Sequence, residues 1–101
     1  MDEVTALSGK QKRFLRAKGN RLEDGLVIGH GGISDNCKKN LNDLLTQFEL
    51  LKVRIKPAAG IDRKEAAVVL VDESGAQLVQ VFGSTVLLYR QNAEKRVIKL
   101  P

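Results

Sequence analysis

Hydrophobic positions along the chain follow two periods, and the change from one to the other marks out the elements. Ser8, with Gln11 three residues on, has the spacing of a capping box, in which two side chains satisfy free backbone N–H groups at a helix start. Behind it, Lys10 to Arg21 carries Phe14, Leu15 and Ala17, with Leu22 adjoining, on a narrow apolar side. This predicts an amphipathic helix that fades near Gly19-Asn20. Gly25-Leu26-Val27-Ile28 is a short apolar run ended by glycine and predicts a short buried strand, followed by a loop at Gly29-His30-Gly31-Gly32. Ser34 and Asp35 open a second helix, along which Ile33, Cys37, Leu41, Leu44, Leu45 and Phe48 recur at spacings of three and four. From Leu51 to Lys56 the period falls to two: Leu51, Val53 and Ile55 face a core, while Lys52, Arg54 and Lys56 form a basic outer face.

Pro57 and Gly60 end that strand, and Asp62 with Glu65 repeats the capping spacing. Ala66, Val69 and Leu70 then give the stripe of a third helix ending before Gly75, although Val68-Val69-Leu70-Val71 has strand propensity. Gln77 to Phe82 and Thr85 to Tyr89 read as two strands joined through Gly83-Ser84 as a hairpin. The resulting order is helix, strand, loop, helix, strand, helix, strand, strand. It predicts an α/β fold, a two-layer sandwich with a mixed four-stranded sheet and about three helices. Residues 1–101 are expected to form one domain, with 1–7 as a lead-in and 91–101 as a charged tail that either lies along the domain or frays. A chain of 101 residues has surface enough to bury one core, not two.

Composition narrows the classes. Hydrophobic residues make up 43% and charged residues 29%, which excludes a disordered or collagenous chain. Aromatics are 4%, with no Trp, so the core is expected to be aliphatic. One Cys and one His exclude a structural zinc site and an internal disulfide. No apolar run approaches the roughly 20 residues of a membrane span. The start Met1-Asp2-Glu3-Val4 lacks the basic and apolar stretches of a signal peptide, so a cytoplasmic protein in a reducing compartment is expected.

Charge adds direction. Seventeen Lys and Arg against twelve acids give a net charge of +5 and a pI near 9.6, which points to a polyanionic partner. The segment with Lys10, Lys12, Arg13, Arg16, Lys18 and Arg21 contains no acid, unlike an ordinary solvated face, which mixes signs. Ile28 to Ser34 joins a strand end, a glycine loop and a helix start. Free N–H groups at a helix start attract phosphate, and glycines let a phosphate backbone come close without Cβ collision. A GxxG loop in KH domains clamps nucleic-acid backbone in this way. Here Gly29 and Gly32 hold the fixed positions and His30 and Gly31 the variable ones, with Lys38 and Lys39 one turn into the helix.

Four ordered segments resemble the CRM domain (chloroplast RNA splicing and ribosome maturation), whose stand-alone bacterial form is the YhbY-like family. They are Leu7 to Arg16, Ile28 to Ser34, Glu49 to Val53 and Gly75 to Arg90, in one register, and the tail ending Lys99-Leu100-Pro101 is also similar. The resemblance implies a fold like the C-terminal domain of a translation initiation factor, with a KH-like loop. It also implies RNA binding and, for stand-alone members, association with precursors of the large ribosomal subunit. His30-Gly31 departs from members that carry a basic or amide residue there, which shifts the expected RNA contact from side chains to loop backbone.

The sequence therefore reads as a non-catalytic RNA-binding assembly factor for the large subunit. Gly29, His30, Gly31, Gly32, Lys10, Lys12, Arg13, Arg16, Lys38 and Lys39 are the expected RNA-binding residues, with rRNA as partner and no cofactor or metal. The scarcity of aromatics argues against the base-stacking mode of RRM domains. The alternative is a protein-interaction adaptor that docks its basic face on an acidic protein. Cys37, Phe14, Phe48 and Tyr89 are expected in the core or at its edge. His30 and Cys37 are the only nucleophile–base pair, no third group joins them, and neither a P-loop nor a dinucleotide fingerprint is completed, so enzymatic activity is not expected.

Overall fold

The computed structural model describes residues 7–101; six of the seven lead-in residues fall outside it. The elements are α1 (Gly9–Gly19), β1 (Leu26–Ile28), α2 (Asp35–Phe48), β2 (Leu50–Ile55), a 3-10 turn (Pro57–Ala59), α3 (Arg63–Ser74), β3 (Gln77–Phe82) and β4 (Thr85–Tyr89). The four strands form one mixed sheet in the order β1-β2-β4-β3, with β1 parallel to β2 and the other pairings antiparallel. Parallel pairing of β1 and β2 requires a crossover, which α2 provides; β3 and β4 need only a hairpin.

Local chemistry accounts for the helix boundaries. Ser8 Oγ accepts from Gln11 N–H and the Gln11 side chain accepts from Ser8 N–H, which completes the expected capping box. α1 ends at Gly19, where the chain passes so close to β4 that a Cβ would stand 2.6 Å from Leu87 Cδ2. Ser34 caps α2 by accepting from Cys37 N–H, and Asp62 caps α3 by accepting from Lys64 N–H. The valine-rich run of α3 is helical because this cap starts it and Gly75, in the left-handed region, stops it. Ala66, Ala67 and Leu70 face inward while Val68 stays exposed, so strand propensity yields to packing.

The sheet with α2 and α3 forms the expected sandwich. Ile28, Leu51, Val53, Ile55, Val86 and Leu88 meet Leu41 and Leu45 of α2 and Leu70 of α3 in one aliphatic core. The other sheet face is not left open. Leu15 of α1 and Ile98 of the tail pack with Leu50, Val79, Leu87 and Tyr89 in a second cluster. The alternation in β2 thus has two buried sides, with Leu51, Val53 and Ile55 against α2 and α3, and Leu50 beneath α1. Arg54 remains exposed and Lys52 is half-buried. Tyr89 is core, as expected, and Cys37 is packed against the first cluster, where burial raises the pKa of its thiol.

Phe48 departs from the expectation. It is 47% exposed, and the residue that goes inside is its neighbour Glu49, at 0%. At the exit from α2, Glu49 takes φ 65° and ψ −40°, a sharp turn from the helix into β2, while Phe48, the last helical residue, stays at the surface. The Glu49 carboxylate accepts from Asn92 N–H at 2.6 Å and from Val97 and Ile98 N–H at 2.8 and 2.6 Å. This buried acid fastens the tail along the domain; of the two alternatives for 91–101, fraying is the one not taken. Nearby, the Arg90 guanidinium donates to Asn42 and Thr46 of α2 and to Ser74 O of α3, joining both helices to the end of β4.

Candidate functional site

The glycine loop leaves the sheet where β1 ends, at Ile28 paired with Ile55. Gly32 N–H closes a turn onto Gly29 O at 3.0 Å, and Ser34 N–H reaches Gly32 O at 3.2 Å before the helix begins. Gly31 and Gly32 have φ of 100° and 65°, backbone that other residues adopt at a cost, so the path itself requires glycine. His30 and Gly31 are exposed at the tip, and a side chain on Gly31 would meet nothing within 4 Å. Among the described residues, no internal acceptor takes the N–H of His30 or Gly31.

Other groups gather at the same end of the sheet. α3 starts there too, after the Pro57–Ala59 turn, so α2 and α3 both present their N-terminal, partially positive ends beside the loop. Gly32 packs next to Ala59 O, and the Lys56 side chain lies 3.9 Å from where a Gly29 Cβ would be. Arg63, in the first turn of α3, donates to Gly83 O in the β3–β4 hairpin. Lys39 is exposed on α2, whereas Lys38 pairs with Glu73 of α3 at 3.6 Å.

The remaining expected residues lie elsewhere. Leu7 N–H donates to Gln77 Oε1, which fixes the start of α1 at the opposite end of the sheet, where Gln77 pairs with Tyr89. Lys10, Lys12 and Arg13 lie in the first turns of α1 at that end, and Arg16 follows one turn later. The ten expected residues therefore fall into two groups. Gly29, His30, Gly31 and Gly32 form the loop and Lys38 and Lys39 follow it in the first turns of α2, with the Lys38 ammonium drawn to Glu73 in the last turn of α3, while the four α1 cations lie on the other sheet face. The sequence joined the α1 cations and the loop in one set of RNA-binding residues, because charge pattern carries no information on where a helix crosses a sheet.

The basic row of β2 divides three ways. Lys56 joins the loop, Arg54 is held by Asp24 at 2.5 Å and by Ser84 Oγ at 3.3 Å, and Lys52, half-buried, borders a groove beside α1. Alternation exposed these residues as a row, but only the parallel pairing of Ile28 with Ile55 shows which one borders the glycines. Arg63 carries no signal in the sequence beyond its charge. Among the described residues, no group of three or more His, Cys, Asp or Glu could hold a metal ion.

These features define a small basic α/β domain that presents a glycine turn, two helix N-termini and lysines at one end of its sheet. Residues 7–90 match the CRS1 / YhbY (CRM) domain, and the chain belongs to that family. It is 41% identical to the Bacillus subtilis protein named "Probable RNA-binding protein YqeI", over 94% of this chain and 99% of that one. A Haemophilus influenzae protein named "RNA-binding protein" is 33% identical over 97% of this chain and 98% of its own length. The solution structure of a hypothetical protein from Staphylococcus aureus, 37% identical, superposes with a TM-score of 0.74 over 94% of this chain and 99% of that one.

Proposed function

We propose that the chain binds RNA without catalysis and associates, in the cytoplasm, with rRNA in precursors of the large ribosomal subunit. The carrying observation is the loop Gly29 to Gly32, which leads into α2 with the N–H groups of His30 and Gly31 bound to no acceptor among the described residues. Unpaired donors at a helix start suit phosphate oxygens, and membership of a family whose relatives are named for RNA binding supplies the polyanion. Lys39 and Lys56 provide charge beside the loop, and Lys10, Lys12, Arg13 and Arg16 provide a second basic field for a large folded RNA. Readout of backbone and shape fits such a surface better than base reading.

The loop assignment has a direct test. Gly31 at φ 100° excludes a side chain there without strain, so the substitution belongs at His30. His30→Asp places a carboxylate where phosphates pass, with repulsion on the order of 1 kcal/mol per charge pair in a partly solvated site. RNA affinity, measured by filter binding, should fall about tenfold with the melting temperature unchanged. Lys95→Ala, which removes one positive charge from the tail, should cost less. A His30→Asp protein that binds as tightly as the parent would show the loop to be only a turn.

The cellular role makes its own demand. In gradients of cell extract at low salt, the protein should travel with large-subunit precursors, and at high salt it should leave them. Crosslinking with mapping of RNA positions would then identify the rRNA element. A protein found only in the free fractions at low salt would instead favour the adaptor.

A further inference from the structure

A groove of about 710 Å³ opens between the C-terminal half of α1, the start of β2, the end of α2 and the tail. Its walls are Phe14, Leu22, Phe48 and Val97, over a floor that includes Leu50 and Ile98. Three of the seven exposed large hydrophobic residues among the described residues gather here: Leu22 at 39%, Phe48 at 47% and Val97 at 54%. Phe14 and Phe48 are two of only four aromatic residues in the chain. The rim carries Lys18, Arg21 and Lys52 and a single acid, Glu23. None of the ion pairs among the described residues uses those three cations, and Lys18 lies 5.5 Å from the centre of the Phe14 ring. The loop Gly29 to Gly32 makes no part of this groove.

We propose that the groove receives one or two unpaired nucleotides of the bound RNA, with the base against Phe48 and Phe14 and the phosphates against Lys18, Arg21 and Lys52. The proposal rests on the RNA-binding reading above and extends it from backbone contact to a base-stacking site. Charge complementarity selects an anionic occupant, since three cations and one acid border the opening. Size selects a small one: the volume falls in the range of roughly 300–1,000 Å³ typical of small-molecule sites. Apolar walls with two aromatic rings suit the flat face of a base, which stacks on an aromatic side chain whatever its sequence. This is not the sheet platform of an RRM domain, because α1 and the tail cover the sheet face on that side.

Phe48 is the residue to change, since its exposure allows substitution without loss of the fold. The probes are a single-stranded RNA octanucleotide and a blunt RNA duplex of twelve base pairs. Phe48→Ala, with an unchanged melting curve, should lose roughly 5- to 150-fold in affinity for the single strand, as expected for one stacked base. It should bind the duplex as the parent does. Phe48→Trp should retain single-strand affinity. Because the chain has no other Trp, its emission reports on the groove alone and should be quenched by the octanucleotide. Unchanged single-strand affinity in Phe48→Ala, or unquenched emission while the octanucleotide is bound, would overturn the groove and leave the loop reading standing. Quenching by a glutamate-rich amphipathic peptide but not by RNA would assign the groove to a protein segment and overturn it also. A parent protein that binds neither RNA would overturn both readings.

Discussion

Glu49→Ala is expected to lower the stability of the domain by about 3–5 kcal/mol, the usual consequence of removing one side of a buried charged network. Three tail N–H groups, of Asn92, Val97 and Ile98, converge on a carboxylate with no exposed surface. With the carboxylate gone, these donors are left without their acceptor beside a cavity. The tail should then detach, exposing Ile98 and the second core cluster. Two further variants separate the side chain from the backbone. Glu49→Gly suffers the same loss of acceptor but tolerates φ 65°, and should be more stable than Glu49→Ala by about 1 kcal/mol. Glu49→Gln keeps one acceptor oxygen and should fall between the parent and Glu49→Ala. Urea unfolding of the four proteins, read by far-UV circular dichroism, measures all of this. Stability equal to the parent in Glu49→Ala would mean that the tail contributes nothing to the fold.

The second large effect is on RNA affinity and ionic strength. For an RNA that spans both the loop end and the α1 field and so neutralises about four phosphates, log K against log salt should have a slope of about −3 to −4, at roughly 0.7–0.9 per phosphate. Between about 50 and 200 mM salt, affinity should therefore fall by roughly 60- to 250-fold. The division of the basic residues into two fields sharpens this. Lys10→Ala combined with Lys12→Ala should flatten the slope only for an RNA large enough to reach across the domain. Lys56→Ala should flatten it by a little under one for a short RNA as well. Binding whose strength is independent of salt would remove the electrostatic basis of the proposal.

Much of this molecule is determined locally. Ser8 with Gln11, Ser34 and Asp62 start their helices by satisfying N–H groups within three residues, and Gly75 stops one, so these boundaries need no distant partner. The strands show in the sequence because period-two alternation and β-branched runs reflect local geometry. The family is legible too, since four segments hold one register from Leu7 to Arg90, and the glycine loop is visible because positive φ at Gly31 and Gly32 is a demand on residue type. Tertiary structure decided what depends on distance through space. Lys10 and Lys38 carry the same charge in the sequence, yet the crossing of α1 over the opposite sheet face separates them. Lys56 enters the loop site through the pairing of Ile28 with Ile55, a contact between residues far apart along the chain. Glu49 inside and Phe48 outside reverse the hydrophobic pattern. A carboxylate is stable in the interior only when donors meet it, and these come from residues more than forty positions away. Sequence pattern records which side chains favour burial; it does not record which distant N–H groups are there to receive a polar one.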